Sequence, residues 1–494
     1  MKKLITLFSM LAFYGINAQT LPSTYVQTGV VTGLLYPSDF DWLPDGRYIV
    51  TQKGGATSTT TNALIRIFKS DGTSIGTFYD LTDSVDANGE HGLHGIAVDP
   101  DFTNNHYIYA YYTYRNPAKT VKAMRVVRFT ESNNVGTNPK LIFNQIYTAS
   151  TTNHVGGIIR IRPSQPKQLY IQIGELAYEQ TDATKNYANK LNLPYGKILR
   201  INTDGSIPTD NPYYDDGNPT TGNDDRIWSY GHRNSFGMCF NVETDTMYAS
   251  ENGLNAWDEF NVIHKGGNYG WATCEGNYMN SSTTQACTDP TLIKPIATWG
   301  APLPSVTGCL FYTGSLMPEF KNHILVGDND NGILYDLTMG NSPKYDIVSN
   351  KKTFADITSD GLTTIRQGKD ECIYALRGGY TTQGTIYRIC PKSTSVATWN
   401  GTQNYLGQNY PNPTSNTSQI EFQVAQSSFV TIDLLDITGR VLRTIVSEQY
   451  AAGAHAIEVT ELNALPNGTY FYRMNVMQNG NVAFSQTKRM IILN

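Results

Sequence analysis

The sequence predicts an all-β protein in which a six-bladed β-propeller is followed by a small antiparallel β-sandwich. Three observations support this fold class. The 494 residues include 32 tyrosines and 43 glycines, which suit strands and turns, and helical periodicity is hard to find after the first 20 residues. A strand–turn–strand pattern recurs six times. The last part of the chain alternates apolar and polar residues with a period of two.

The N-terminal segment, residues 1–18, is predicted to be a secretory signal peptide. Lys2 and Lys3 precede an apolar run from Leu4 to Ile16, and Ala18 is the small residue that a cleavage site needs. The run is too short for a spanning helix, and no later stretch is apolar enough to be a transmembrane segment. We therefore expect a mature protein outside the cytoplasm. The net charge of −5 argues against a nucleic-acid partner.

Residues 19–395 are predicted to form the propeller. Each repeat consists of apolar residues, a turn rich in Pro, Asp or Gly, and a short strand rich in Tyr or Ile. The six repeats lie near Trp42, Ile96, Ile158, Met238, Leu310 and Thr364. Their spacing exceeds the roughly 40–50 residues of one blade, which indicates inserted loops that can carry function. Two packed β-sandwiches are the alternative, but the regular recurrence favours radial repetition.

The tail begins after a polar segment, residues 396–408, that is rich in Ser, Thr, Asn and Pro and is predicted to be a linker. Residues 409–494 then contain alternating segments such as "QIEFQV" and "GTYFYRMNV", with turns at "ITGR" and "LPNG". This pattern predicts a small antiparallel sandwich.

The six cysteines permit 15 pairings, and an exported protein can form disulfides. Cys274 and Cys287 flank one polar loop and are the favoured pair. Cys372 and Cys390 lie on two strands around a turn and make a plausible second pair. This assignment leaves Cys239 and Cys309 over. The sequence has no C-x-x-C motif, so a zinc site built on paired cysteines is not expected.

Three polar clusters lie at the predicted ends of blades: "NGEHGLHGIAVDPDF" (88–102), "TNHVGG" (152–157) and "YGHRNSFG" (230–237). Loops at one end of a propeller converge on its central channel. We therefore expect His154, Arg233 and Asn234 to meet in space, whereas His232 is expected to be structural.

Four stretches carry a resemblance to a known family. They are the segment that begins "NGEHGLHGIAVDPDF", then "YGKILRINTDGSIPTDNPYY", "YGHRNSFGMCF" and "SENGLNAWDEFNVIHKGGNYGW". In this order they resemble the glucose/sorbosone dehydrogenase family, which includes the soluble quinoprotein glucose dehydrogenases, over roughly residues 25–390. The resemblance implies a six-bladed propeller that uses pyrroloquinoline quinone (PQQ) and calcium. Its substrate would be a sugar, and its electron acceptor is not identified by the sequence.

The resemblance implies a role for five residues at the reacting centre. His154 matches the catalytic base, which takes a proton from a sugar hydroxyl while hydride passes to the quinone. Arg233 matches the arginine that faces a quinone oxygen and stabilises its developing charge. Asn234 matches a cofactor-binding amide. Glu90 falls where the family has a glutamine near the histidine, and Gln180 matches a glutamine near the sugar.

The resemblance also implies metal ligands. The backbone carbonyls of Gly253 and Leu254 match two ligands of the calcium ion beside the cofactor. Glu259 and the carbonyl of Tyr269 match a second, structural calcium site. Calcium prefers oxygen ligands of both kinds.

The tail resembles the C-terminal sorting domain of the type IX secretion system. The matching residues are Asn409–Pro413, "DITGRVL" (436–442) and "LPNGTYFYRM" (465–474). The resemblance implies passage through the outer membrane by the type IX secretion machinery and a secreted or cell-surface location. An ordinary carbohydrate-binding or adhesive sandwich is the alternative.

Glucose dehydrogenases of the family surround the tricarboxylate quinone with a lysine and two arginines. The corresponding positions fall at Asp330, Thr353 and Ala355, which removes charge-assisted hydrogen bonds. Three functions therefore stay open. The first is a PQQ-dependent sugar dehydrogenase. The second is a catalytically altered propeller that binds a glycan or a protein at the cell surface, and the third is a calcium-dependent hydrolase.

Overall fold

The computed structural model describes residues 21–55, 60–118, 120–148, 151–177, 186–280, 282–392, 403–478 and 480–493. The predicted signal peptide, most of the predicted linker and Gln180 lie outside these residues. The chain divides into two compact units, Met1–Cys390 and Pro391–Asn494. No helix in the described part of the chain has the length and apolar character that crossing a membrane requires.

Six four-stranded sheets make up the first unit. After β1 (Tyr25–Leu34), the first sheet contains β2 (Pro37–Trp42), β3 (Tyr48–Gln52), β4 (Leu64–Phe68) and β5 (Ser74–Asp80). The second contains β6 (Leu93–Val98), β7 (Tyr107–Arg115), β8 (Lys122–Ser132) and β9 (Val135–Tyr147). The third contains β10 (Ile159–Ile161), β11 (Gln168–Ile173), β12 (Lys197–Asn202) and β13 (Ile227–Tyr230).

The fourth sheet contains β14 (Gly237–Asn241), β15 (Thr246–Glu251) and β16 (Trp257–Ile263), and ends with β19 (Ala297–Gly300). A separate hairpin of β17 (Cys274–Glu275) and β18 (Tyr278–Met279) precedes β19. The fifth sheet contains β20 (Val306–Phe311), β21 (His323–Asp328), β22 (Ile333–Gly340) and β23 (Ile347–Asp356). The sixth contains β24 (Leu362–Gln367), β25 (Ile373–Arg377) and β26 (Gly384–Pro391), with β1 as its outer strand beside β26.

Helical structure is scarce in the described residues, so the all-β class is confirmed. The helix α1 (Phe102–Asn105) has four residues, and three short 3-10 turns lie at Tyr187–Asn189, Pro318–Phe320 and Leu462–Ala464. The six predicted repeats coincide with the six sheets. Each repeat centre lies in, or directly before, the first strand of a sheet: Trp42 in β2, Ile96 in β6, Ile158 before β10, Met238 in β14, Leu310 in β20 and Thr364 in β24.

The core of the first unit consists of six hydrophobic clusters, and each cluster is shared by two successive sheets. The cluster between the sixth and first sheets joins Val31 of β1 and Phe40 of β2 to Leu376 of β25. The first strand of each sheet also lies against the first strand of the next, and β24 lies against β2. Burial of apolar surface therefore links every sheet to two neighbours.

The second unit has two sheets that share one core. One contains β27 (Tyr405–Leu406), β28 (Ser418–Val424) and β31 (Gly453–Val459). The other has the order β30 (Val441–Tyr450), β29 (Ser428–Leu435), β32 (Gly468–Gln478), β33 (Asn481–Ile492). Phe422 packs in one cluster with Ile432, Tyr472 and Met490. The alternation of buried and less buried residues along β29 is the predicted period of two.

Two of the predicted disulfides are present. Cys274 is bonded to Cys287, and Cys372 to Cys390. Cys239 and Cys309 are buried and are not bonded to each other.

Candidate active site

Loops that follow three different sheets bring the predicted polar residues together. Glu90 lies between β5 and β6, His154 between β9 and β10, and Arg233 and Asn234 between β13 and β14. The Glu90 carboxylate accepts hydrogen bonds from the His154 backbone N–H (2.7 Å) and from the Asn234 side-chain amide (3.0 Å). The Asn234 Oδ1 in turn accepts from the Gly156 N–H (3.2 Å). The groups that the sequence placed on separate loops therefore form one network.

His154 is held by two charged groups on opposite nitrogens. Its Nδ1 is hydrogen-bonded to the Glu175 carboxylate, and its Nε2 lies 3.2 Å from Nη2 of Arg233. A carboxylate only accepts, so Nδ1 carries the proton, and Nε2 is the lone-pair nitrogen that accepts from the guanidinium. Both His154 and Glu175 are buried, at 7% and 2% exposure. The arrangement presents a basic nitrogen in an enclosed site.

Glu175, which contacts His154, is a candidate site residue that the motif analysis missed. It lies just after β11, at the same end of the third sheet as the His154 loop, and that position was the available signal. The preceding Gly174 must be small, because a Cβ there would lie 2.2 Å from the His154 carbonyl oxygen and 2.8 Å from Oδ1 of Asn234. Close backbone approach at Gly174 thus sets the distance between the histidine and its carboxylate.

Arg233 is a buried cation that does not use all of its hydrogen-bond donors within the described residues. Its Nη1 donates to the Asn252 carbonyl (2.9 Å), and its guanidinium lies 5.3 Å from the centre of the Trp271 ring. Among the described residues, Nε is buried and has no hydrogen-bond partner. Burial lowers the pKa of Arg233, and the nearby carboxylates, first Glu175 and then Glu275, oppose that shift. An acceptor oxygen entering the site would satisfy the free donor.

A small cavity lined by carboxylates lies beside Arg233. Glu251, Glu259 and Glu275 line it together with Gly253 and Tyr269, and its volume of about 10 Å³ is near the lower limit for holding one water molecule. Burial, with a further contribution from the carboxylates of Glu251 and Glu275, raises the pKa of Glu259 to about 8. Three buried carboxylates around an ion-sized space favour a bound cation.

Glu275 connects this cavity to Gly253 and Leu254, the residues predicted to bind the calcium ion beside the cofactor. Its Oε1 accepts from four successive backbone N–H groups, those of Leu254, Asn255, Ala256 and Trp257, at 2.7–3.3 Å. Its Oε2 is buried and has no partner among the described residues. The structure therefore places Gly253, Glu259 and Tyr269 at one cavity and Leu254 next to it.

His232, the third member of the "HRN" group, has a structural environment. Its Nδ1 bonds the Glu251 carboxylate (2.9 Å), its Nε2 bonds the Ser229 hydroxyl (2.9 Å), and its ring stacks on Tyr269. Both nitrogens are occupied by the protein, as expected for a structural histidine.

The positions predicted to lack cations have structural surroundings of their own. Asp330 accepts from the Ser305 hydroxyl (3.1 Å), whereas Thr353 and Ala355 lie in β23, with Ala355 in the core between the fifth and sixth sheets. A different cation, Lys53, lies near Glu90. Its ammonium donates to the carbonyls of Gly55 (2.7 Å) and Ala87 (2.9 Å).

Lys53 is only 3% exposed. Burial lowers its pKa to about 8, although the carboxylates of Glu90 and Asp86 work against this shift. The site thus contains a buried lysine that motif matching did not identify.

Comparison with known proteins bears on both family resemblances. A family model described as Glucose / Sorbosone dehydrogenase matches residues 34–388, well over half of the chain. A model described as Secretion system C-terminal sorting domain matches residues 408–492. The two resemblances drawn from sequence motifs are confirmed.

Individual relatives of the chain support the same family assignment. Quinoprotein glucose dehydrogenase B of Acinetobacter calcoaceticus is 33% identical over 265 residues, which cover 50% of this chain and 52% of that protein. Aldose sugar dehydrogenase YliI of Escherichia coli K12 is 27% identical over 313 residues, or 62% of this chain and 79% of that protein. The PQQ-bound structure of aldose sugar dehydrogenase from Streptomyces coelicolor covers 75% of this chain and 100% of its own, at 23% identity and a TM-score of 0.57. This last likeness shows a shared fold.

Proposed function

The chain belongs to the glucose/sorbosone dehydrogenase family, and we propose that it is a secreted, PQQ-dependent dehydrogenase that oxidises an aldose-type sugar or a polyol. The observation that carries the proposal is the buried Glu175–His154–Arg233 array, in which a basic nitrogen faces a guanidinium with a free donor. The six sheets linked in sequence support a six-bladed propeller as its frame, and the two sheets of the second unit support a sandwich.

The residues present fit a quinone cofactor at the histidine end of the site. When bound, PQQ supplies the hydride acceptor for the reaction. Arg233, through the Nε that has no partner among the described residues, and the amide of Asn234 are the groups that would hold its oxygens, with Glu90 alongside. The carbonyls of Gly253 and Leu254 would hold a calcium ion next to it, and Glu259 and the Tyr269 carbonyl a second calcium ion in the carboxylate cavity.

His154 has the geometry of a general base. Its Nε2 faces the adjacent guanidinium, and it can accept the proton of a substrate hydroxyl that enters between them. Glu175 then stabilises the imidazolium that forms and keeps its proton on Nδ1. Arg233 provides fixed positive charge where negative charge develops on oxygen, in a site from which most water is excluded.

A binding function is the second candidate, and one observation favours it. The positions matched to the family's cofactor-binding cations are Asp330, Thr353 and Ala355, so the anionic end of a tricarboxylate would find less positive charge here. In that case the propeller would bind a glycan or a protein at the cell surface. Lys53 favours the dehydrogenase, because it is a buried cation that adds positive charge near Glu90.

Reconstitution separates the two candidates. Purified protein from residue 19 onward is loaded with calcium and PQQ, binding is followed by the absorbance of the quinone, and dye reduction is measured with a panel of sugars. We expect uptake of the quinone and turnover, and His154→Ala should abolish turnover while uptake persists. His323→Ala is the matched control, because His323 forms the same kind of carboxylate pair with Asp336 (2.7 Å), on β21. Absence of uptake by the wild-type protein would favour the binding function.

The sorting domain supports the proposed location. Its match to residues 408–492 is the basis for proposing export through the type IX secretion system to the exterior or the cell surface. The electron acceptor would then be a molecule or protein that the enzyme meets outside the cytoplasm.

A further inference from the structure

The segment between β12 and β13 contains a cluster of three aspartates that the proposed reaction does not use. Asp215, Asp216 and Asp225 each place a carboxylate oxygen within 4.8 Å of those of the other two. Within the described residues, no lysine, arginine or histidine forms an ion pair with any of the three. Three negative charges are therefore held together without a cation from the protein.

Asp225 is the residue that points to a ligand. It is fully buried, at 0% exposure, and its Oδ1 accepts from the Asp215 backbone N–H (2.7 Å). Its Oδ2 is also buried but has no hydrogen-bond partner in the part of the chain that the structure describes. A buried carboxylate oxygen without a partner is costly, since its interaction with water has been lost and nothing has replaced it. A cation bound to that oxygen would remove the cost.

The loop is also folded so that the carboxylates stay in place. Asp215 Oδ2 accepts from the Asn223 N–H (2.8 Å), and Asp216 accepts from the Asn218 N–H (2.7 Å). Gly222 has φ of +58°, and a Cβ there would lie 2.3 Å from Asp215 Oδ2, so the chain passes directly over that carboxylate. Asp216 also accepts from the Thr221 hydroxyl (2.5 Å), and a carboxylate oxygen that accepts one hydrogen bond keeps a second lone pair for a metal.

We propose that Asp215, Asp216 and Asp225 bind one Ca²⁺ ion, at a site distinct from the cavity of Glu251, Glu259 and Glu275. The donors are all oxygen, which suits a hard cation and does not suit zinc or copper. Calcium tolerates the irregular geometry of a loop, whereas Mg²⁺ demands near-ideal octahedral coordination. The role of the ion is structural: Asp225 is two residues before β13, the strand that leads directly into Arg233.

The test counts calcium ions per chain. The purified protein from residue 19 onward is stripped with a chelator, equilibrated with calcium and analysed by equilibrium dialysis and elemental mass spectrometry. We expect Asp216→Asn, a change at an exposed residue, and Asp225→Asn, an isosteric change, each to bind one ion fewer than the wild type. Asp204→Asn is the matched control, because Asp204 lies in the same connecting segment and only caps a turn at Ser206; it should bind the wild-type number.

A second measurement reports on the role of the ion. Calcium should raise the unfolding temperature of the wild type by more than it raises that of either cluster variant, and circular dichroism at the start of each melt shows that the variants are folded. Equal ion counts in the wild type and in both variants would overturn the proposal. The proposal would also fail if the wild-type protein bound no calcium ion that is lost in Asp216→Asn, regardless of calcium binding at the Glu259 cavity.

Discussion

His154 can act as a base only while its lone pair stays on Nε2, and Glu175 is the group that fixes this state. In Glu175→Gln the side-chain amide can donate to Nδ1, which would shift the proton to Nε2 and remove the base. We expect kcat to fall by a factor on the order of 10²–10⁴, the range that general bases contribute. Quinone binding, measured by absorbance, should change less than kcat, because the side chain of the variant keeps its size and its place beside His154.

Asp336→Asn is the control for this change. Asp336 holds the Nδ1 of His323 through a carboxylate in the same way, but on the fifth sheet. It should leave kcat intact. A Glu175→Gln enzyme with the kcat of the wild type would show that the tautomer of His154 is set by other groups.

Lys53 should give the protein a distinct dependence of stability on pH. Its pKa is about 8 in the folded protein against an ordinary 10.5, so between these pH values the unfolded chain binds more protons and stability rises with pH. The full shift corresponds to about 3 kcal/mol. In urea unfolding at pH 8 and pH 10, the wild type should gain stability relative to Lys53→Met. A constant difference between the two proteins at both pH values would contradict this.

Sequence reasoning identified site residues where a motif had recognisable neighbours, and missed those fixed only by three-dimensional contact. "YGHRNSFG" and "TNHVGG" pointed to Arg233, Asn234 and His154. Glu175 lies in a stretch without such a motif, and its role depends on the close approach of Gly174 to the His154 carbonyl. Lys53 is likewise separated from Glu90 along the chain. Folding buries its ammonium group and brings it near the Glu90 carboxylate, so no local sequence pattern marks it.

The β17–β18 hairpin positions Glu275, and the Cys274–Cys287 disulfide joins the first strand of that hairpin to the segment that follows it. Replacing both cysteines by serine should lower the free energy of unfolding by about 3 kcal/mol, the value typical for a loop of this size. Because Glu275 is next to Cys274 and lines the carboxylate cavity, calcium binding at that cavity should weaken as well. Calorimetric titration with calcium and urea unfolding measure the two effects.

The second disulfide provides the comparison. Cys372 and Cys390 join β25 and β26, which already pair through Ile373 and Ile389, and neither cysteine lines the cavity. The double serine variant at these positions should lose stability without losing calcium affinity. Weakened calcium binding in both variants would mean that the effect is global and does not act through Glu275.

At the scale of elements, the recurring turns and strands predicted the start of every sheet, because apolar periodicity and turn residues are local signals. The pairing of β1 with β26 was not predictable in the same way. It joins residues from the two ends of the first unit, and only burial of Val31 and Leu34 against the sixth sheet selects that partner.

The first unit as a whole depends on contacts between sheets, because each of its sheets is buried against two neighbours. Leu34 of β1 is 1% exposed, in the cluster shared by the sixth and first sheets. Leu34→Ala should lower the free energy of unfolding by about 2–5 kcal/mol through the cavity it leaves. Since His154, Arg233 and Glu90 lie in loops that follow different sheets, dye reduction should be lost in the same transition.

Val26→Ala, at an exposed position of the same strand, should change stability by less than about 0.5 kcal/mol. Urea unfolding monitored by tryptophan fluorescence and by activity gives both midpoints; five of the six tryptophans lie in the first unit, and Trp399 falls outside the described residues. If activity survives the fluorescence transition of Leu34→Ala, the packing of β1 has only a local effect. The site residues then stay in place without that packing.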